Sequence, residues 1–414
     1  MNRVWHGRGV VLGGPLSQSR GFPSGHKGTV LKRSSGVSKT WVLAAACLLI
    51  GAGAEWRRWA ATPPAAVVPL SVQPAAPRSF TLTLQSAGSI PMPPGVPAAH
   101  ASALAALPNG ELLACWWAGQ RESAPDVALY MARWRDGHWS DARAIVDRHS
   151  LGQGLNLGVR RIGNPALWVA ADGRVHLYVV ATGPGGWAAA RVAQLVSADG
   201  GASFVAERVL PLTPLLNTSV LVRTRPVALA DGGWLLPAYF EQGHKYPMVI
   251  SFDRSGEPRW VRRIGSTVDS LQPALLPVSA TELRAVMRHI GTQRRVQQAV
   301  SHDAGMSWQD LPQAELPNHD SSIAGLRLAD GGFVLVHNDI LPAPAWPRQW
   351  LRLSTSTDAQ AWAPGQDVQL GVPGEEFSYP SVLQIGQQLH VTYTDQRRSI
   401  AHRVYDIHYA ESAR

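Results

Sequence analysis

Six polar residues head six look-alike stretches of the 414-residue chain. They are His100 of "HASALAALPNGELLACWW", Asn164 of "NPALWVAADGRVHLYVVA", Arg225 of "RPVALADGGWLLPAYFE", Gln272 of "QPALLPVSATELRAVMRH", Ser321 of "SSIAGLRLADGGFVLVHN" and Tyr379 of "YPSVLQIGQQLHVTYTDQ". The steps between them are 64, 61, 47, 49 and 58 residues. An imidazole, a guanidinium, a phenol, two amides and a hydroxyl at one repeated position form a set suited to a polar ligand. That set acts together only if the repeats point it at a common axis.

The elements that would do so are legible. After each polar head come a small residue or proline, an apolar run, usually a glycine turn, and a second apolar run, which reads as strand, turn, strand. A second motif recurs with a similar beat. "SADGGASF" starts at Ser197, "SFDRSGEPRW" at Ser251, "SHDAGMSW" at Ser301 and "STDAQAW" at Ser356, in steps of 54, 50 and 55. A shortened relative, "RWRDGHW", occupies 133–139. Recurrence argues for structural punctuation rather than a unique metal or catalytic loop. The Asp carboxylate caps backbone N–H groups, the Gly takes positive φ, and the aromatic packs under the turn. No stretch resembles an acidic calcium loop, and neither a metal nor another cofactor is expected. Repeats of this length with several strands each predict an all-β, six-bladed β-propeller over 79–414. The alternating "FTLTL" at 80–84 is expected to supply the outer strand that closes the last blade against "AHRVYDIHYA".

Charge is unevenly placed. The chain carries +9, but residues 1–60 hold nine Lys/Arg against Glu55 alone, which leaves +1 for the other 354 residues. The basic character therefore belongs to the N-terminus and does not point to nucleic acid. A basic segment, 1–40, runs into the uncharged "WVLAAACLLIGAGA" at 41–54. Its length suits a signal h-region, with "AGA" at 52–54 as a cleavage-like site, or else a short anchor in the inner membrane. Both readings export the chain beyond Ala54, to the periplasm or out of the cell. Residues 55–78, Pro/Ala-rich from 61, read as a semi-extended linker. Cys47 and Cys115 are placed too differently to form a disulfide, so the domain must be stable without one. A monomer is expected.

The repeated boxes, of the S-x-D-x-G-x-x-W type, resemble those of the sialidase (neuraminidase) superfamily, and more closely its bacterial BNR-repeat branch. The resemblance covers about 95–410. It implies a glycan-directed site in which three arginines clamp a carboxylate, an Asp is acid/base, and a Tyr nucleophile pairs with a Glu. Carried over, the first arginine falls on His100, a departure. The acid/base falls on Asp126 of "GQRESAPDVALY". The second and third arginines fall on Arg288 of "VMRHIGTQRR" and Arg348 of "WPRQWLRL", and the nucleophile on Tyr379 of "EEFSYPSV". The Glu partner falls on Gln272, a second departure. Glu241, Glu375 and Glu376 are candidates to replace it as base.

The chemistry stands without the family. Two guanidinium forks in one pocket imply an anionic ligand. A phenol is a poor nucleophile near its usual pKa of about 10, and becomes a better one beside cations and a base. With His100 in place of an arginine, anion affinity is expected to be weaker and pH-dependent. Asn164, Arg225, Gln272 and Arg397 of "YTDQRRSIAH" complete the candidate ligand-binding set. Trp116, Trp117 and Trp187 are candidates for stacking on sugar faces, with core packing the other reading. The expectation is a sialidase-like exo-glycosidase acting on a terminal acidic sugar. The alternatives are a polysaccharide lyase using His100 and Tyr379 on a uronate, and a non-catalytic glycan-binding propeller.

Overall fold

Six antiparallel sheets succeed one another along the chain, each led by one of the polar-headed hairpins. The computed structural model describes residues 39–59, 66–73, 75, 78–213, 217–340 and 348–410. The basic segment up to 38 and linker residues 60–65 lie outside the described residues. Blade I holds Ala98–Ala106, Leu112–Gly119 and Ala128–Arg135, with His138–Trp139 and Arg143–Asp147 sharing its outer position. Blade II holds Arg161–Val169, Val175–Thr182, Ala190–Ser197 and Val205–Val209. In blade III the inner position is split between Val220–Val222 and Val227–Ala228, followed by Trp234–Phe240, Tyr246–Phe252 and Pro258–Arg263. Blade IV runs Ser270–Pro277, Leu283–His289, Gln297–Ser301 and Gln309–Leu311, and blade V runs Ala324–Arg327, Phe333–Asn338, Trp350–Ser356 and Ala363–Leu370. Blade VI is Phe377–Ile385, Gln388–Asp395 and Ser399–Tyr409, completed from the other end of the chain by Phe80–Ser89. That last strand pairs antiparallel from Phe80↔Tyr409 to Ser89↔Ala401, as the alternation at 80–84 predicts. The molecule is a six-bladed propeller. Successive blades bury their facing apolar sides against each other, as where Leu113, Leu129 and Met131 of blade I meet Leu167, Leu177 and Leu195 of blade II.

The recurring Ser–Asp motif lies between the third and fourth strands each time, and its Ser197 and Ser301 copies form the same turn, while at Ser251 the Asp253 carboxylate caps Ser255 N and Glu257 N without the serine. Ser197 Oγ donates to Asp199 Oδ1 at 2.6 Å while Gly201 N donates to Ser197 Oγ at 2.7 Å and Ser203 N to Asp199 Oδ1 at 2.8 Å. Ser301, Asp303, Gly305 and Ser307 repeat this at 2.8, 2.7 and 2.8 Å. Gly201 and Gly305 sit at φ of 84° and 93°, where a Cβ is strained. At Ser356 the turn is one residue shorter and lacks the glycine: Ala359, at φ 56°, donates its N–H to Ser356 Oγ at 2.9 Å. Trp308 Nε1 closes under its turn onto Gly305 O at 3.0 Å. The motif is structural punctuation.

The inner strands are not regular. Register slips between His100 and Ala103, Gly163 and Ala166, Leu271 and Ala274, and Ser378 and Ser381. Each slip contains one residue at positive φ: Ala101 (59°), Asn164 (43°), Gln272 (50°) and Tyr379 (53°). Non-glycine residues in this region cost on the order of 1 kcal/mol each. A bulge of this kind re-aims a side chain, and here it swings Asn164, Gln272 and Tyr379 out of the pleat. The six heads are therefore not one equivalent set. His100 stands one residue before the strained position, in register with Leu271 and Ser378, and blades III and V lack the slip.

The linker reading needs correction. Residues 66–73 are strapped to the propeller: Leu70 bridges Leu229, its N–H donates to Ala280 O at 2.7 Å, and its side chain is 2 % exposed among Leu229, Leu235 and Leu275. An apolar side chain in an otherwise Pro/Ala-rich stretch finds a core position, and the chain around it loses its freedom. The propeller thus draws on residues before 79. The uncharged run 41–54 lies in the helix Lys39–Trp59, built from good helix formers. Its Trp41, Leu43, Leu48, Leu49 and Ile50 are exposed. Among the described residues no helix is long and apolar enough to cross a membrane.

Candidate active site

Tyr379 is the hub. Its hydroxyl accepts a hydrogen bond from Arg288 Nη1 at 3.3 Å, and the guanidinium carbons of Arg223 and Arg348 lie 5.3 and 5.7 Å from its ring centroid. Burial alone would raise the phenol's pKa. The charges of Arg288 and Arg348, with hydrogen bonds from Gln272 and Arg288, outweigh it and hold the phenol below its ordinary value. Arg288 is buried too, and burial works against its charge, but Tyr379 and Asp320 hold it firmly protonated. Asp320 Oδ1 accepts from Arg288 Nε at 2.6 Å.

A second shelf of charge sits beside it. Glu376 accepts from Arg348 at 3.1 Å, from Arg397 at 2.9 Å and from Ser378 Oγ at 2.7 Å. Burial would raise its pKa, but these partners pull it down. Glu376 therefore anchors two arginines, and among the described residues it makes no hydrogen bond to Tyr379. Arg348 also donates to Asp320 O at 3.2 Å. Arg397 reaches across to Glu122 of blade I, and its carbonyl accepts from Ala99 N at 3.0 Å. It is the strongest charge acting on His100. The candidates Arg288, Arg348, Arg397 and Tyr379 thus meet, although they come from three blades.

His100 packs on the nucleophile candidate and is 2 % exposed. Burial first, then the charges of Arg397, Arg348, Arg223 and Arg288, push its pKa well below the usual value. Against the expected pH-dependent clamp, burial and then four cations disfavour the charged imidazole.

Gln272 and Asn164 converge on a residue that local pattern did not single out. Each donates at 3.3 Å to the hydroxyl of Tyr239, which is 2 % exposed. Burial and the charge of Glu241 hold that hydroxyl protonated far above its normal range. Glu241 lies close enough to act on Tyr239, but among the described residues its carboxylate makes no hydrogen bond to Tyr379. Asp126 is exposed and its carboxylate accepts from Gln120 N at 2.8 Å, capping its own loop. That loop is tied to its surroundings by Glu122 and by Ser123, whose Oγ accepts from Trp187 Nε1 at 3.0 Å. Trp116 and Trp117 are core residues, 0 % and 4 % exposed. Ser321 is buried in a turn with Asn318.

Arg225 is not part of this cluster. Blade III's inner strand is broken between Val222 and Val227, so the repeat spacing does not set the direction of the residues between. It is Arg223 that faces the site. It crosses the channel to donate to Ser102 O, Tyr379 O and Pro380 O at 2.9, 2.7 and 2.9 Å, linking blades III, I and VI. Burial lowers its pKa to about 10. Asp320 and Glu122 were also missed. Their partners stand on other blades, and no short-range spacing marks them. Among the described residues no cluster of His, Cys, Asp and Glu could hold a metal ion.

The arrangement can bind an anion with several guanidinium groups beside a partly activated phenol. The BNR repeat-like domain model matches residues 110–391. No curated protein matches the chain. Among solved structures, a Hadza microbial sialidase superposes with a TM-score of 0.62 at 15 % identity, over 75 % of this chain and 66 % of its own. Trypanosoma rangeli sialidase gives 0.58 at 15 %, over 80 % and 60 %. A protein of unknown function from Dyadobacter fermentans gives 0.63 at 15 %, over 79 % and 99 %. The chain spans about two thirds or less of the length of these two sialidases, and at such identities the likeness is one of fold.

Proposed function

On the premise that this chain belongs to the BNR repeat-like domain family, we propose that it is a sialidase-like glycoside hydrolase that removes a terminal acidic sugar from a glycan. One observation carries the reading: Tyr379 Oη is hydrogen-bonded to Arg288, with Arg348 beside it, and is drawn below its normal pKa. The arginines bind the sugar carboxylate as forks. Tyr379, as the phenolate held by Arg288 and Arg348 after its proton has passed to water, attacks the anomeric carbon through Oη as the bond to the departing oxygen breaks. Asp126, on the loop that grips Arg397 through Glu122, gives that oxygen its proton. Water then displaces the tyrosine, and the product carries the elements of water. We place this activity outside the cytoplasm, since a basic flank, an uncharged run and a Pro/Ala-rich stretch precede the propeller.

A second reading rests on His100. A neutral imidazole with no hydrogen-bond partner on either nitrogen suits a general base that takes the proton beside a uronate carboxylate, with elimination of the next sugar and a double bond in the product. Incubating the protein with sialosides and with uronate oligosaccharides, and weighing the products by mass spectrometry, separates the two. A gain of water supports the hydrolase. An unsaturated product supports the lyase. Binding without turnover leaves a glycan-binding propeller.

A further inference from the structure

The inner strands run on from the Tyr379 mouth to a second opening. Residues 104–106, 167–169, Leu383, Gln384 and Gly386 lie three or more positions beyond His100, Asn164 and Tyr379, about 10 Å or more along a strand. There they line a separate cavity of about 480 Å³ together with Arg225 and Arg327. Its walls are apolar at Leu104, Leu167 and Leu383.

The polar groups facing it share one character. Among the described residues, Arg225 makes no hydrogen bond and no ion pair. Its side chain is half-buried at the cavity wall, and that burial lowers its pKa to about 10. Arg327 makes one bond, Nη2 to Gln73 O at 3.2 Å, and its Nε has none. The one amide, Gln384, is engaged at both ends: its oxygen accepts from Ala329 N and its nitrogen donates to Gly386 O. No aspartate or glutamate lines the cavity. A desolvated cation without a counter-charge is costly unless a ligand supplies one. The charged side chains at the cavity, Arg225 and Arg327, are both cations, on an apolar wall of a size ordinary for small-molecule sites.

We propose that this cavity is a second binding site, separate from the Tyr379 pocket, for a small organic carboxylate. Its anionic head pairs with Arg225, and its apolar body lies against the leucines. The proposal does not depend on what the Tyr379 pocket does.

The test is calorimetric titration of the full chain with hexanoate, alongside acetate and hexanol. Hexanoate is expected to bind, acetate at least tenfold more weakly for want of a body, and hexanol at least tenfold more weakly for want of a charge. Arg225→Met should weaken hexanoate at least tenfold, while the unliganded melting temperature stays the same or rises, because an unpaired cation is removed. Arg288→Gln, at the other mouth, should leave hexanoate affinity within about twofold. No hexanoate binding by the native chain, equal binding by Arg225→Met, or loss only in Arg288→Gln would each overturn the proposal. So would a lower unliganded melting temperature in Arg225→Met, which would make the arginine a structural strut.

Discussion

The rings of His100 and Tyr379 lie 4.1 Å apart, centroid to centroid, inclined at 51°. A charged imidazole at that position would face four arginines. A neutral one shapes the wall beside the phenol without opposing them. The contact therefore makes His100 a spacer for the nucleophile in the hydrolase reading and a base in the lyase reading, and the two are separable by mutation.

Tyr379→Phe is expected to lower kcat by several orders of magnitude in the hydrolase, since the covalent route loses its nucleophile. His100→Gln should cost far less. The reverse ranking, measured on a substrate from the product screen, would transfer the chemistry to the imidazole.

Arg288→Lys should act mostly on KM, because a point charge replaces a fork that also holds Asp320. The same change should raise the Tyr379 pKa toward its ordinary value, since the 3.3 Å bond from Nη1 is lost. An ultraviolet tyrosinate titration reads this directly. The native chain should show one tyrosine ionising early, absent in Tyr379→Phe and delayed in Arg288→Lys.

Acid should destabilise the propeller before its carboxylates titrate. His176, His390 and His402 are at most 3 % exposed, and burial drops their pKa values to about 4, 4 and 3. His100 is depressed as well. The unfolded chain binds protons on these groups from about pH 6.5 downward while the folded chain does not, so stability falls as pH drops through that range. By pH 4 a single such group contributes on the order of 3 kcal/mol. Denaturant melts of the native chain and of His176→Gln should diverge in slope between neutral and acid pH. Parallel curves would contradict the burial of that ring.

Leu70→Ala should cost about 2–4 kcal/mol in denaturant unfolding, as for other fully buried leucines. A chain beginning at residue 79 should melt below one beginning at 61, because only the longer one carries the strap.

Much of this was readable from the residues. The beat of the Ser–Asp turns and polar-headed hairpins marks six blades, and the alternation at 80–84 marks the closing strand. Arg288, Arg348 and Tyr379, singled out through the family resemblance, stand together in the structure. What was not readable lies across the channel. Arg223 bonds carbonyls more than 100 residues away in sequence, and Tyr239 is linked to Asn164 and Gln272 on other blades. Spacing along one strand carries no information about such pairs. Arg225 was misplaced for a related reason: a periodic rule cannot register the break in its strand. The neutrality of His100 depends on burial, which residue type alone does not disclose.

The pairing of Phe80–Ser89 with Ser399–Tyr409 joins residues more than 300 positions apart. During synthesis the first of these strands emerges early and must wait for nearly the whole chain before its partner exists. Any product that stops short of residue 399 leaves it without a mate and the sixth sheet incomplete, with unpaired N–H and C=O groups open to another molecule. Contacts this distant in sequence are slow to form. The ring is therefore assembled under a timing constraint, and a nascent chain that stalls near its end is the form most exposed to aggregation and proteolysis.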